Sequence, residues 1–289
     1  MNNSFLFQVP EPVIISSLFV LIILAQWVGF RVKRNQIKKN SAVKDSIGSV
    51  EGSLLGLLAL LLSFTFSMSA SKNETRRQVI IEEANNIGTV ILRCDLYPAT
   101  ERQYLRIELQ KYVESRIAYY KAGTDIIKIK AALVRSDIDS RRIWNKVSQL
   151  AQNNENTLAT QQMVPALNAM IDIITTRDAG NNAHIPDSIL WLLFLLTIIG
   201  SFLIGHSHKE DQINWIIVLG FALVMLMTIY LIIDLDRPRQ GVINMDQIQE
   251  KMIELRGVQL PKYYPKRSTP NLFQHFTNLP KYIDLIRLL

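Results

Sequence analysis

An uncharged apolar run that continues into a charged segment without a helix-stopping residue is the strongest constraint on this chain. The run extends from Ser53 to Ala70, a length suited to one helical crossing of a bilayer. After Ala70, Gly88 only weakens a helix, and Pro98 is the first residue that would end one. The sequence therefore predicts one long helix that leaves the membrane and continues into water.

Three further runs are long enough to cross a bilayer and contain no formal charge: Val13–Phe30, Ile189–Gly205 and Trp215–Ile233. The mean hydropathy of +0.13 is too high for an ordinary soluble protein, whereas 20% charged residues are too many for a chain wholly in lipid. We therefore expect an all-α integral membrane protein with four transmembrane helices and an aqueous helical domain inserted between the second and the third.

Helical spacing of apolar residues divides the segment between the second and third crossings into helices. One follows Pro98 and ends near Tyr120, Thr124 is expected to cap the next, and a third runs from about Thr157 to Thr176. A further amphipathic helix is expected at about Met245–Leu255. The predicted divisions are 1–48 (first transmembrane helix and basic loop), 49–98 (long second helix), 99–185 (aqueous helical domain), 186–236 (transmembrane hairpin) and 237–289 (C-terminal helix and Pro-rich basic tail).

Small and polar residues follow one side of the long helix. At 100° per residue they fall within an arc of roughly 100°. Lipid gives no reason for such a stripe, so it should face protein or water. Helix packing through the repeated Gly-x-x-x-Gly spacing is the firmer interpretation; a conduit built from several copies, with Phe66 near a constriction, is the sharper one. The candidate pore or packing residues are Gly48, Gly52, Gly56, Ser63, Phe66, Ser67 and Glu74.

The loop between the first two crossings is strongly basic, with six Lys or Arg against two acidic residues in 31–52. By the positive-inside tendency this loop is cytoplasmic, which places the N-terminus and the aqueous domain outside. The cluster could instead hold anionic lipid. The formal net charge of +7 thus reflects a juxtamembrane bias, and the chain has no motif of a nucleic-acid module.

Signatures of catalysis are missing from the sequence. It contains no phosphate-binding glycine loop, nucleophile elbow or metalloprotease helix. Cys94 is the only cysteine and is expected to be a packed thiol. We therefore predict a protein that is not an enzyme, with no cofactor and no metal site.

Two groups of polar residues lie near the membrane ends. The first contains Arg77, Glu82, Glu83, Asn85, Arg93 and Asp95. These charges cannot all pair along one helix, so some must meet another helix, a subunit or solvent; structural pairing is favoured over an ion-handling vestibule. The second is Asp234, Asp236 and Arg237. Acidic groups at a helix C-terminus need partners, and Arg237, Arg76, Arg77 or Arg93 could supply them.

The same residues carry a family resemblance. The pattern EEAN-x-x-GT-x-x-LR-x-DL-x-P over 82–98, then LQKYVESRIAYY, then DLDRPRQG from Asp234, resembles the bacterial membrane family called bestrophin-like. Arg239 departs from that pattern, which usually has an aromatic residue there. The positions that match the pattern are Arg77, Glu82, Glu83, Ala84, Asn85, Gly88, Thr89, Arg93, Asp95, Pro98, Asp234, Asp236, Arg237, Pro238 and Gly241.

The resemblance implies an architecture and a function. Bestrophins are pentameric ion channels with four membrane-crossing helices, a helical aqueous domain in the cytoplasm, and the second crossing lining the pore. For this chain the resemblance implies a multi-pass protein of the bacterial inner membrane, assembled as a homo-oligomer and acting on inorganic ions. The cytoplasmic aqueous domain of bestrophins conflicts with the outside location that the basic loop indicates. We adopt the orientation that the loop indicates.

Two functions fit the sequence. The leading interpretation is a homo-oligomeric ion channel with the long helix at its centre. The alternative is a non-conducting membrane sensor or scaffold whose helical aqueous domain binds a partner, with the stripe used for helix packing.

Overall fold

The computed structural model describes residues 9–38, 47–207, 213–239 and 246–258. Within those ranges the regular structure is helical and contains no strand. The expected all-α class is therefore confirmed. The C-terminal segment 259–289 and Gly241 lie outside the described residues.

Eight α-helices occur in the described residues, joined by short 3₁₀ turns at Cys94–Leu96 and Asn154–Asn156. In chain order they are α1 (Glu11–Lys38), α2 (Ile47–Arg93), α3 (Ala99–Lys121), α4 (Ile126–Leu150), α5 (Thr157–Asn182), α6 (Asp187–His206), α7 (Trp215–Asp236) and α8 (Asp246–Val258).

The long helix α2 contains 47 residues. At about 1.5 Å per residue it measures about 70 Å, more than twice the roughly 30 Å hydrocarbon thickness of a bilayer. It ends at Arg93, and a 3₁₀ turn leads to Pro98, which directly precedes α3. The helix thus stops before the proline, because the chain tightens into the 3₁₀ turn first.

The membrane part consists of α1, α6, α7 and the first half of α2. Each of these helices is long and apolar enough to cross a membrane. Their shared core includes Ile22 of α1, Leu58 of α2, Leu193 of α6 and Ile229 of α7. We take the spanning part of α2 as its uncharged run, 53–70.

The second half of α2 packs with α3, α4, α5 and α8 around a separate core. Ile87, Leu109, Ile143 and Leu167 are each fully buried there, and Met252 brings α8 onto the same core. The chain between the second and third membrane helices therefore forms a helical domain around the extension of α2.

The start of α4 differs from the expectation in its capping residue. Asp125, not Thr124, caps the helix, with its carboxylate accepting hydrogen bonds from the backbone N of Ile127 and Lys128. These bonds stabilise the charged form and hold the pKa of the Asp125 carboxyl below its usual value. A carboxylate at the helix N-terminus also interacts favourably with the helix dipole, which a threonine hydroxyl does only weakly.

Candidate functional site

The exposed stripe is the small and polar surface of α2 that the described part of the chain leaves uncovered. Phe66, 41% exposed, lies at its edge. Leu58, Thr65 and Ser69 lie on another face of the helix and are buried against the rest of the chain. For Gly48 the structure describes only the helix. The exposed members of the stripe are Gly52, Gly56, Ala59, Ser63, Ser67 and Glu74.

Gly52 and Gly56 of the exposed stripe make no close contact with the other described helices. A methyl group added at Gly52 or Gly56 would meet no described atom within 4 Å. At Gly200 of α6, by contrast, it would lie 3.3 Å from side-chain atoms of Leu55 and Leu58. The surface formed by Gly52 and Gly56 is therefore accessible to another molecule, such as lipid or a second copy of the chain.

A second polar face of α2 is buried, and the sequence reasoning missed it. The Ser69 hydroxyl donates a 2.8 Å hydrogen bond to the carbonyl oxygen of Ile232 in α7. Thr65 donates to the carbonyl of Leu61 in its own helix. Thr65, Ser69, Asn73 and Arg76 recur at spacings of three or four, a periodicity that could have revealed this face.

Arg76 is the centre of a junction cluster, which comprises Arg76, His184, Asp236, Arg237 and Glu11. Its guanidinium donates to four backbone carbonyls: Nε to Gly180 at 3.0 Å, Nη1 to Leu235 at 3.0 Å, and Nη2 to Ala183 at 2.6 Å and to Asp236 at 3.3 Å. Burial lowers the pKa of Arg76, and the nearby Asp236 carboxylate opposes that shift. One side chain thus joins α2 to the end of α5 and the end of α7.

Asp236 fixes the entry to α6 from the same junction cluster. Both of its carboxylate oxygens accept the backbone N–H of Ile185 at 3.1 Å. Its Oδ1 lies 3.9 Å from Nη2 of Arg76, and Oδ2 lies 3.6 Å from Nδ1 of His184. The acid at the C-terminus of α7 therefore lies beside Arg76 and accepts a backbone N–H from the segment that leads into α6.

The other cations proposed for these acids have different positions. Arg237 donates to the carbonyl of Val9 at 2.9 Å and has its Nε 3.9 Å from Glu11. Arg77 instead pairs with Glu74 on the surface of α2, 3.2 Å away. Arg93 donates to the carbonyl of Gln162. Arg76 is thus the long-range partner of Asp236, and Arg77 and Arg93 are not.

A buried triad of Glu83, Arg116 and Arg177 lies in the core of the helical domain. Arg116 Nε donates to Glu83 Oε1 at 2.5 Å, and Arg177 Nη1 donates to the other carboxylate oxygen. Glu83 and Arg116 have no solvent exposure, and Arg177 is 4% exposed. The triad therefore ties α2, α3 and α5 together through two guanidinium groups on one carboxylate.

The titration of the buried triad follows from this pairing. Burial alone would raise the pKa of Glu83, but Arg177 and Arg116 outweigh it and hold the pKa below its ordinary 4.5. For Arg116, burial alone would lower the pKa, but Glu83 raises it above its ordinary value. Among the described residues, neither Nη1 nor Nη2 of Arg116 has a hydrogen-bond acceptor. Glu83 and Arg116 are therefore both charged at neutral pH.

Tyr119 of α3 covers the triad on its outer side. Its ring lies 4.7 Å from the guanidinium carbon of Arg116 and 4.6 Å from that of Arg239. Its hydroxyl donates to Asp178 at 3.1 Å. The aromatic ring thus separates the buried triad from a surface pocket in which Arg239 lies.

Most of the other polar residues singled out from the sequence lie at the surface. Glu82 and Asn85 are exposed on α2. Asp95 pairs with Arg106 of α3 at 2.7 Å. Asp234, at the other end of the chain, is buried in α7. The residues of the two predicted polar groups are therefore divided among the junction cluster, the buried triad, the surface and, for Asp234, a buried position in α7.

Candidate catalytic or metal-binding side chains do not converge in the part of the chain that the structure describes. No three His, Cys, Asp or Glu residues there could hold one ion. Cys94 is fully buried, and burial raises the pKa of its thiol to about 12. A thiol in that state is a poor nucleophile.

Four apolar helices, an all-α fold and a helical domain around the extended second helix define a multi-pass membrane protein. The family model for the bestrophin-like domain matches residues 17–247. The chain belongs to the bestrophin-like family.

Solved structures share the fold. A crystal structure of a mutant of a bacterial bestrophin homologue from Klebsiella pneumoniae has a TM-score of 0.67 at 13% identity, covering 90% of this chain and 98% of that chain. The structure of a homologue from the same organism solved by zinc anomalous phasing has a TM-score of 0.64 at 12% identity, covering 84% and 99%. No curated protein matches the chain significantly.

Proposed function

We propose that the protein is a homo-oligomeric ion channel in which copies of α2 surround a central conduit. The exposed stripe carries this proposal: a membrane helix places Gly52, Gly56, Ser63 and Ser67 on a surface that the described residues of its own chain leave open. Lipid would be better matched by large apolar side chains. Neighbouring copies or water are better matched by small and hydroxylated ones.

The conduit in this proposal has a narrow part and a charged mouth. Phe66 is the large apolar residue at the edge of the stripe, and we assign the constriction to it. Glu74 and Arg77 form an exposed ion pair two turns further along α2. Their position just beyond the uncharged run places both charges where permeating ions would enter or leave.

Assembly and orientation complete the proposal. The resemblance to bestrophins supports a pentamer, inorganic ions as the permeating species and the bacterial inner membrane as the location. The basic residues that end α1, among them Arg31, Lys33 and Arg34, support a cytoplasmic α1–α2 loop, and hence a helical domain on the outer side.

The test is ionic current through planar bilayers containing the purified oligomer. We expect current from the wild type and a changed unitary conductance from Phe66→Ala. Phe64→Ala is the matched control, because Phe64 is 64% exposed on the same helix but outside the stripe. Silent bilayers containing an intact oligomer would overturn conduction and favour the non-conducting scaffold.

A further inference from the structure

We propose that a pocket at the membrane-facing edge of the helical domain binds the anionic headgroup of a phospholipid. The pocket has a volume of about 360 Å³. It lies among the end of α3, the start of α4, the end of α5 and the residues that follow α7. This inference is independent of conduction.

The position of the pocket points to the bilayer surface. His184, in its wall, lies three residues before the first residue of α6, and Arg237 directly follows the last residue of α7. Both α6 and α7 are membrane helices. The pocket therefore lies where those helices leave the hydrocarbon region, which is the level of lipid headgroups.

The charge of the pocket favours an anion. Lys130, Arg237 and Arg239 line it against a single carboxylate, Asp178. Lys130 is exposed and makes no ion pair in the described structure. Asp178 already accepts a hydrogen bond from Tyr119. Arg237 is already paired with Glu11. Among the described lining residues, Lys130 and Arg239 against Asp178 still leave one positive charge that a phosphate diester would neutralise.

Two cations of the pocket are held in place before any ligand binds. Nη1 of Arg239 donates to the carbonyl of Gly123 at 2.8 Å, and its guanidinium stacks on the ring of Tyr119. Arg237 is similarly held by the carbonyl of Val9. A preorganised guanidinium loses less conformational entropy on binding a phosphate than a free one does.

An apolar wall identifies the anion as a lipid. Ile126, Ile129 and Leu133 of α4 line the side of the pocket formed by that helix. Ile126 is 49% exposed and its neighbour Ile127 is 81% exposed. A small inorganic anion gains nothing from this surface, whereas the glycerol and upper acyl carbons of a phospholipid would cover it.

The experiment is native mass spectrometry of the full-length protein in detergent, titrated with dioleoyl phosphatidylglycerol or dioleoyl phosphatidylcholine. We expect one phosphatidylglycerol per chain to bind before any other lipid, with phosphatidylcholine weaker. Replacing both Lys130 and Arg239 by Ala should weaken phosphatidylglycerol binding about tenfold or more, since two charge-assisted contacts are lost. Lys130→Glu should weaken it too, and its exposed position leaves the fold intact.

The control removes two charges of the same helix outside the pocket, Arg135→Ala with Arg141→Ala, and should leave the affinity unchanged. Equal binding of the two lipids, or equal loss in control and pocket variants, would overturn the proposal. A further arm adds inorganic phosphate in large molar excess over the lipid. Displacement of the lipid by phosphate would overturn the assignment to a headgroup in favour of a free anion.

Discussion

Gly29 of α1 and Gly205 of α6 form a reciprocal backbone contact where the two helices cross. A methyl group added at Gly205 would lie 2.0 Å from the carbonyl oxygen of Gln26, and one added at Gly29 would lie 2.1 Å from the carbonyl oxygen of Phe202. Gly205 therefore packs against the carbonyl of the residue three positions before Gly29, and Gly29 packs against the carbonyl of the residue three positions before Gly205. Such close approach is how membrane helices gain packing energy without a hydrophobic driving force.

Replacing either glycine by alanine should destabilise the protein, because neither backbone can yield to a side chain. We expect a loss of about 1–3 kcal/mol or more for Gly205→Ala or Gly29→Ala, the range for overpacked sites. The measurement is the thermal unfolding midpoint of the detergent-purified protein. Gly220→Ala on α7 is the control, since a methyl group there meets no described atom within 4 Å; an equal effect in all three would contradict the close crossing.

Replacing Glu83 by Gln should strongly destabilise the helical domain, because it leaves Arg116 and Arg177 buried without a counter-charge. Removing one partner of a buried ion pair costs about 3–5 kcal/mol. Denaturant unfolding measures this loss. Glu82→Gln, an exposed neighbour on the same helix, should be within about 0.5 kcal/mol of the wild type.

The same pairing predicts a dependence of stability on pH. Since Glu83 has a pKa below its ordinary 4.5 in the folded protein, its stabilising contribution is complete above pH 4.5 and is lost as the pH falls through the lower, folded value. The difference in unfolding free energy between wild type and Glu83→Gln should therefore shrink on acidification below pH 4.5. A difference that is constant with pH would show that the carboxylate does not carry the effect.

Arg76→Lys should destabilise the junction between the membrane helices and the helical domain. A lysine ammonium cannot reproduce the planar fork that reaches the carbonyls of Gly180, Ala183 and Leu235. Each buried carbonyl left without a donor costs about 1–3 kcal/mol. Thermal unfolding and limited proteolysis at the 183–186 linker measure the effect, with Arg77→Lys, exposed on the same turn, as the silent control.

A large residue in the exposed stripe should leave the fold of the single chain intact but prevent its assembly into an oligomer. Gly52→Leu meets open space in the single chain, so the helical content should be unchanged while assembly is lost. Particle mass by light scattering separates the two effects. Gly220→Leu, which is equally open on α7, should leave the particle mass unchanged; intact oligomers of Gly52→Leu would remove the stripe from the subunit interface.

Cysteine labelling on intact cells should report the orientation through an introduced residue. Cys94 is buried with a raised pKa, so an impermeant maleimide should leave the wild type unmodified. Leu158→Cys, at a position that is 71% exposed on α5, should react if the helical domain is outside, as the basic loop indicates. Labelling that requires cell lysis would place the domain in the cytoplasm.

The sequence reasoning was most successful where the pattern is local. The uncharged runs and the lack of a helix-stopping residue before Pro98 predicted the four membrane helices and the extension of α2. It was less successful for caps and ion pairs. Thr124 and Asp125 are adjacent and both residue types cap helices, so the sequence alone could not choose between them. The hydrogen bonds of the Asp125 carboxylate identify Asp125 as the cap.

Partner choice was beyond the sequence because it depends on contacts between distant segments. Glu83 meets Arg116 and Arg177, which lie 33 and 94 residues away in the chain. The spacing of Gly52 and Gly56 indicated close helix packing, yet the glycines that bring two helices together in the protomer are Gly29 and Gly205.

The amino-acid sequence by itself determined the fold class, the number of membrane helices and the side of α2 that carries small and polar residues. Hydrophobicity and helical period are properties of residues close together in the chain, so they can be recognised from the sequence. Only the tertiary structure decided which arginine neutralises Asp236, which charges are buried with Glu83 and which cations share a pocket at the membrane edge. Those choices depend on how helices far apart in the chain are brought together.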